Sequence, residues 1–232
     1  MNGGLLMAQV LKEDVRENIR IASIQEFKEN GYEKASMRAI ATNAGISVGN
    51  LYRYFSDKHS LFDNIVSTIY ENINSNVHFE YKMLFLDVNL LEHMDLINRF
   101  ISTRKGHRDE LYILLEKSKG SKYEDIKPIM ISKMEAAFMD TVIAEVNKDQ
   151  EIVKGTLFAK AFSTSIVEGL TKIIVEAEEE EVFVQNVIQY IEFTFKSTIR
   201  TLIAIRDGKM NFRRISDEEK ELYNNINCGH NR

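Results

Sequence analysis

The stretch Ser36–Leu61, SMRAIATNAGISVGNLYRYFSDKHSL, predicts a helix, a tight turn, a second helix and the start of a third. A serine stands before each of the first two helices, Ser36 and Ser47. A serine hydroxyl at that position accepts a hydrogen bond from a free amide of the first turn. Gly45 is expected to end the first helix, because a residue without Cβ adopts a positive φ at little cost. The stretch therefore predicts a helix-turn-helix unit.

The second helix of this unit is predicted to have one buried and one exposed face. Leu51 and Phe55 lie four residues apart and are expected to point into the core. The remaining positions are Val48, Gly49, Asn50, Tyr52, Arg53 and Tyr54. Small residues followed by hydroxyls and a guanidinium suit a helix that enters the major groove of DNA. The alternative is that the two tyrosines are core aromatics and Arg38 is a surface charge.

The rest of the chain also favours helices, and no alternating strand pattern of useful length occurs. A first helix is predicted over Lys12–Asn30, ended by Gly31, and a fourth from Lys58 past Tyr70. Further helices are expected over Leu90–Ser102, Arg108–Lys117, Ser121–Asn147, Glu151–Glu176 and Val182–Arg206. Pro128 lacks an amide hydrogen, so it either begins a helix or kinks one. The predicted fold class is therefore all-α.

These N-terminal motifs resemble the signature of the TetR-type bacterial transcriptional regulators. The matching residues are Ile19, Ala22 and Phe27, then Gly31-Tyr32, Ser36-x-Arg38-x-Ile40-Ala41, Ala44-Gly45-Ile46-Ser47, Leu51-Tyr52-x-Tyr54-Phe55 and Lys58-x-x-Leu61. The resemblance covers roughly a quarter of the chain, and its motifs are dense enough to be specific. It implies a three-helix DNA-binding head over residues 1–74 and a helical body for ligand binding and dimerisation over residues 75–232. Residues 1–10 are expected to be disordered or an extension, because Met7 is a natural start.

In the family, six of the matching positions contact DNA: Ser36, Arg38, Ser47, Tyr52, Tyr54 and Lys58. The predicted DNA-binding residues are Ser36, Arg38, Ser47, Val48, Gly49, Asn50, Tyr52, Arg53, Tyr54 and Lys58. Hydroxyls and a lysine at helix N-termini suit phosphate oxygens, whereas an arginine can reach a guanine edge with two donors. The chain departs from the family at Val48, where Lys or Arg is frequent, and at Asn50, where Thr or Ser is frequent. The first departure should weaken nonspecific attraction to phosphates.

The last two predicted helices carry an apolar arc that is too wide for one neighbour. Such an arc suggests burial against a second subunit, and in the family these helices form a four-helix dimer interface. The predicted interface residues are Phe162, Ile166, Ile173, Val184, Ile188, Ile191, Phe195 and Ile199. Packing inside a monomer is the alternative.

Large soft side chains in the body are candidates for lining a ligand cavity. The ligand-binding candidates are Phe100, Tyr112, Phe138, Phe158 and Phe162, although any helical core contains such residues. The basic cluster at Arg104, Lys105, His107 and Arg108 either attracts an anionic ligand or lies in a solvated loop. Residues 178–181, all glutamate, are expected to form a solvated turn.

The composition of the chain bears on nucleic-acid binding, cellular compartment, membrane insertion and metal binding. The net charge of −5 alone argues against nucleic acid, but residues 1–60 hold eight Lys and Arg against seven Asp and Glu. Cys228 is the single cysteine, which suits a reducing cytoplasm, and no apolar run is long enough to span a bilayer. The five histidines are scattered, so no metal site, catalytic residue or cofactor is predicted. The predicted partners are double-stranded DNA, a second copy of the chain and an unknown small-molecule effector. A helical small-molecule sensor and a constitutive DNA-binding scaffold are the alternatives.

Overall fold

A computed structural model describes residues 3–86, 101–154 and 156–210, with side chains from residue 12 and without those of 75–86. All regular structure in these ranges is helical, which confirms the predicted all-α class. Much of the helix predicted over Leu90–Ser102 lies outside the described residues; residues 101–104 are helical.

Four helices form the N-terminal part of the structure. They are α1 (Gly3–Lys34), α2 (Met37–Asn43), α3 (Val48–Tyr54) and α4 (Lys58–Leu86). The predicted interruption at Gly31 is confirmed, because this residue has a positive φ of 68° and a non-helical ψ of 168°. One further helical turn follows this kink, so α1 as a whole extends to Lys34. The kink is fixed by the Tyr32 amide, which donates to the Lys117 carbonyl at 2.8 Å.

Beyond the helical residues 101–104, the described part of the body contains four further helices. Helix α5 is Arg108–Glu116, and α6 is Ile126–Phe138, continued by a π-helical segment (Met139–Ile143) and by Ala144–Val146. Helix α7 is Leu157–Glu176, and α8 is Glu180–Tyr190, continued by a π-helical segment (Ile191–Lys196) and by Ser197–Arg206. Helix α4 packs against α6, α6 against α7, and α1 against α5. Pro128 lies in the first turn of α6, where a missing amide costs no hydrogen bond.

Two predicted helix starts, at Ser121 and Glu151, are wrong because polar side chains hold the preceding segments as loops. The Ser121 hydroxyl accepts a hydrogen bond from the Tyr123 amide at 3.1 Å, and α6 begins only at Ile126. The Asn147 side chain accepts from two loop amides at 2.9 and 3.0 Å and donates to the Val153 carbonyl at 2.8 Å. These bonds replace the helical ladder, and α7 begins at Leu157.

The buried apolar residues form two core clusters. The first, which contains the fully buried Phe27 and Phe62, combines α1 to α4 with side chains of α5, α7 and α8. The second lies within the body around Phe138, Phe162 and Phe195. Because the first cluster joins the two predicted domains, the boundary near residue 74 does not separate two independent cores.

Four of the predicted interface residues are already covered within the subunit. Phe162, Ile166, Phe195 and Ile199 belong to the second core cluster, so packing inside the monomer accounts for them. The other four are only partly buried: Ile173, Val184, Ile188 and Ile191. Between α7 and α8 the helices approach closely at Gly169, where the Tyr190 hydroxyl occupies the space that a Cβ would need. Tyr190 can therefore donate to the Ser165 carbonyl at 2.6 Å, which holds the two helices together.

The predicted basic cluster is solvated only in part: Lys105 and His107 are exposed, whereas Arg104 is only 3% exposed. Arg104 makes contacts within the chain. Its guanidinium donates to Glu180 and to the carbonyls of Ile174 and Ala177 at the end of α7. Arg108 donates to the Val175 carbonyl of the same turn at 2.9 Å. Both arginines are thus occupied within the chain, and the expectation that Arg104 attracts an anionic ligand is not supported.

Candidate nucleic-acid interface

The helix-turn-helix is built by the local signals in the sequence. The Ser36 hydroxyl accepts from the Ala39 amide at 3.4 Å, and the Ser47 hydroxyl accepts from the Asn50 amide at 3.1 Å. Gly45 turns the chain with a φ of 71°. These contacts confirm both predicted N-caps and the predicted turn.

One buried acid supports this unit and was missed by the sequence analysis. Glu26, on α1, is 6% exposed and accepts a hydrogen bond from the Ser36 amide at 2.9 Å. The carboxylate thereby positions the residue that caps α2. In sequence, Glu26 is one of several acids on α1, and nothing distinguishes it from the solvated ones.

Helix α3 presents two different faces. Leu51 is fully buried, whereas Tyr52 is 48% exposed, and Gly49 and Arg53 are also exposed. The core interpretation is therefore wrong for Tyr52. Four further residues are half-buried. Three of them pack against the first core cluster, Val48, Tyr54 and Phe55, and the fourth is Asn50. Tyr54 thus lies at the edge of the exposed face rather than at its centre.

The predicted DNA-binding residues outside α3 differ in whether their charged groups already have partners within the chain. Arg38 is exposed on α2 and forms no ion pair with any described residue. Lys58 is half-buried at the start of α4, where its ammonium group donates to the carbonyls of Glu33 and Ala35 at 3.0 and 3.2 Å. The same group lies 4.8 Å from the centroid of the Tyr32 ring. Lys58 therefore joins the end of α1 to α4, and at most one of its three donors remains for a phosphate.

Helix α4 is anchored to the turn before α6 by a polar cluster. The Asp63 carboxylate accepts hydrogen bonds from Lys122 and from the Tyr123 hydroxyl. Lys122, and secondarily Tyr123, lowers the pKa of Asp63 below its usual value. Burial, and secondarily the Asp63 carboxylate, raises the pKa of Tyr123 from 10.0 to about 12. The cluster ties the head to the body close to the aromatic core.

This raised pKa predicts a loss of stability at alkaline pH. The folded state binds the Tyr123 proton more tightly than the unfolded state, so the contribution is complete below pH 10 and lost as pH rises towards about 12. Urea unfolding measures the free energy of unfolding at each pH. Between roughly pH 9 and pH 11, this free energy should fall by about 1 kcal/mol less in Tyr123→Phe than in the unsubstituted chain. Equal losses in both proteins would show that the phenol titrates normally.

Three of the predicted ligand residues pack against one another. Phe138 lies 4.7 Å from Phe162 and 6.2 Å from Phe158 between ring centroids, so these rings fill one another's space. Tyr112 is half-buried, with the Lys117 ammonium 5.5 Å from its ring centroid. Phe100 lies outside the described residues. An open groove of about 600 Å³ runs elsewhere, between α7 and α8, and is lined by residues that include Val182, Tyr190 and Phe193.

Within the ranges that the structure describes, no three His, Cys, Asp or Glu side chains are placed to hold a metal ion. None of the described helices has the length and apolar character that a bilayer crossing requires.

The fold and the capped helix pair place the chain in the class of all-α helix-turn-helix proteins. Residues 19–65 match the family model for bacterial regulatory proteins of the tetR family. These residues therefore form a DNA-binding domain of the TetR type.

Named relatives agree with this assignment. The transcriptional repressor KstR of Rhodococcus jostii (strain RHA1) is 28% identical over 165 residues, 68% of this chain and 73% of the relative. A transcriptional regulator of Staphylococcus aureus (strain USA300) is 30% identical over 99 residues, and the match spans 54% of its length and 38% of this chain.

Two solved structures of regulators match the chain at low TM-scores. A transcriptional regulator assigned to the TetR family from Mesorhizobium loti MAFF303099 has a TM-score of 0.38 and 16% identity, over 84% of this chain and 96% of that one. NalD, the secondary repressor of a multidrug efflux pump in Pseudomonas aeruginosa, has a TM-score of 0.36 and 17% identity, over 84% of this chain and 95% of that one.

Proposed function

We propose that this chain is a ligand-responsive transcriptional repressor that binds a pseudo-palindromic operator as a homodimer in the cytoplasm and has no enzymatic activity. Each subunit places α3 in a major groove, with the two grooves roughly 34–36 Å apart. The observation that carries the proposal is the exposed face of α3: Tyr52 and Arg53 face solvent while Leu51 holds the helix on the core. The repressor named among the relatives supports the sign of regulation.

The exposed groove between α7 and α8 supports a dimer. It is lined partly by apolar residues that water covers in the single chain: Val182 is 42% exposed and Phe193 is 75% exposed. The half-buried Ile173, which was among the predicted interface residues, lies in the same groove. Exposed large apolar side chains that cluster in this way mark protein interaction sites. A second copy seated here with its own α7 and α8 makes a four-helix interface.

Regulation is proposed to act through α4. This helix begins at the head and packs against α6 of the body, so a displacement of α6 by an effector moves the head. A coupling of about 1–3 kcal/mol is enough to change operator affinity several-fold to a hundredfold.

The test of the DNA-binding proposal is fluorescence anisotropy with duplex DNA from the region upstream of its own gene. The unsubstituted chain is expected to bind, and binding should weaken as salt rises. Arg38→Ala combined with Tyr52→Ala should reduce the affinity roughly tenfold to a hundredfold, because a direct base contact contributes about 1–3 kcal/mol.

The matched control is Lys148→Ala, which removes an exposed cation from the body and should leave the affinity unchanged. Unaltered binding by the double variant would reject the proposed recognition surface. Absence of salt-sensitive binding by the unsubstituted chain would reject DNA binding itself and favour a helical small-molecule sensor.

A further inference from the structure

A polar cleft lies between α1 and α3, beside the face of α3 proposed to enter the major groove. Its volume is about 570 Å³, and it is lined by Lys12, Glu13, Arg16, Asn50, Arg53 and Tyr54. Two helices thus contribute three cations and one carboxylate to a single concave surface.

The helical register explains why these residues meet. On α1 the lining positions are i, i+1 and i+4, and on α3 they are i, i+3 and i+4, so each set occupies one helix face. The α3 set borders Gly49 and Tyr52, which face solvent. A duplex that received this part of α3 in its major groove would bring its backbone against the α1 side of the cleft.

The two α1 cations of the cleft differ from Arg20 and Lys28, further along the same helix, in having no ion-pair partner among the described residues. Further along α1, Arg20 pairs with Glu110 at 2.8 Å and Lys28 pairs with Asp109 at 2.8 Å, both on α5. By contrast, Lys12 and Arg16 are exposed, and neither forms an ion pair with any described residue. The only carboxylate in the lining, Glu13, makes no ion pair with either of them. Positive charge at the cleft is therefore unneutralised within this part of the chain.

We infer that Lys12 and Arg16 are positioning residues that bind backbone phosphates of the duplex next to the groove occupied by α3. This inference rests on the proposed DNA binding and extends its surface from the helix-turn-helix to α1. Flexible ammonium and guanidinium groups on a concave surface suit phosphate oxygens, and such contacts fix the register of the protein without reading sequence. They also compensate for the missing cation at Val48, the position at which other family members carry Lys or Arg.

The salt dependence of binding measures these contacts directly. Each neutralised phosphate adds about 0.9 to the slope of log affinity against log salt concentration. The combined variant Lys12→Ala and Arg16→Ala should therefore lower the slope by about 2. A fourfold rise in salt should then reduce the affinity of this variant by a factor roughly tenfold smaller than for the unsubstituted chain. Its preference for the upstream duplex over a scrambled one should be unchanged. Lys148→Ala combined with Lys154→Ala removes the same charge from exposed positions on the body and should leave the slope unaltered.

A second variant separates the effect from misfolding. Glu13→Gln removes the one carboxylate of the cleft and should raise the affinity several-fold at low salt, which an unfolded protein cannot do. If the unsubstituted chain binds the duplex but the α1 double variant keeps its slope, the phosphate contacts are refuted while DNA binding stands. If the unsubstituted chain does not bind at all, the proposed function falls together with this inference.

Discussion

Phe62→Ala is expected to lower the free energy of unfolding by about 3–5 kcal/mol, the usual cost of removing a fully buried phenyl ring. Phe62 on α4 has no exposed surface. Its ring centroid lies 4.9 Å from that of Phe27 and 4.8 Å from that of Tyr32, both in edge-to-face geometry. Because edge-to-face pairs contribute beyond the area they bury, the loss should lie towards the upper end of this range.

The position of this ring also predicts how the chain unfolds. Phe62 contacts α1 of the head and, at 6.2 Å between centroids, Tyr123 of the body. Tyr123 in turn lies 4.8 Å from Tyr70, further along α4. Since one aromatic cluster belongs to both parts, head and body are expected to unfold in a single transition.

Urea unfolding, followed by far-ultraviolet circular dichroism and by tyrosine fluorescence, tests both the stability loss in Phe62→Ala and the single unfolding transition. The two signals should coincide in the unsubstituted chain and should shift together in Phe62→Ala. Tyr52→Ala is the matched control, because it removes an aromatic ring that is 48% exposed and should change stability by no more than about 0.5 kcal/mol. Two separate transitions, or equal losses in the two variants, would contradict the shared core.

The head was predictable because its signals are local. Ser36, Ser47 and Gly45 act on amides and backbone angles within four residues of themselves, so the sequence contains both partners of each interaction. Leu51 and Tyr52 are adjacent, and helical geometry alone sends their side chains to opposite faces. The structure confirms this division, although contact of Tyr52 with DNA remains a prediction.

The body was less predictable because its decisive contacts are distant in sequence or belong to loops. Asn147 ends one helix by binding the amides of Ile152 and Val153, a pattern that helical periodicity cannot show. The sequence shows the apolar faces of α7 and α8, but it does not show which surface packs against each face. Phe162 and Phe195, 6.0 Å apart between centroids, cover each other within one subunit.

Arg104 is the clearest case of a distant partner, and Arg104→Ala is expected to lower the free energy of unfolding by about 2–4 kcal/mol. The side chain reaches from the segment before α5 to the end of α7, where the last carbonyls of a helix lack intrahelical donors. It donates to the Ile174 carbonyl at 3.3 Å and to the Ala177 carbonyl, and pairs with Glu180 at 2.9 Å. Its guanidinium also lies 4.3 Å from the centroid of the Phe183 ring.

Removing this group leaves the carbonyls at the α7 terminus without their donor and opens a gap above a fully buried ring. Burial lowers the pKa of Arg104, but a guanidinium remains charged at any pH the fold tolerates, so the loss should not depend on pH near neutrality. Arg104→Lys should recover only part of the stability, because an ammonium group cannot span three acceptors and a ring face as a planar fork does. The neighbouring Lys105 is exposed, so Lys105→Ala should be nearly neutral in the same urea titration. If the two alanine variants unfolded at the same urea concentration, Arg104 would not be what fastens α7 to α8.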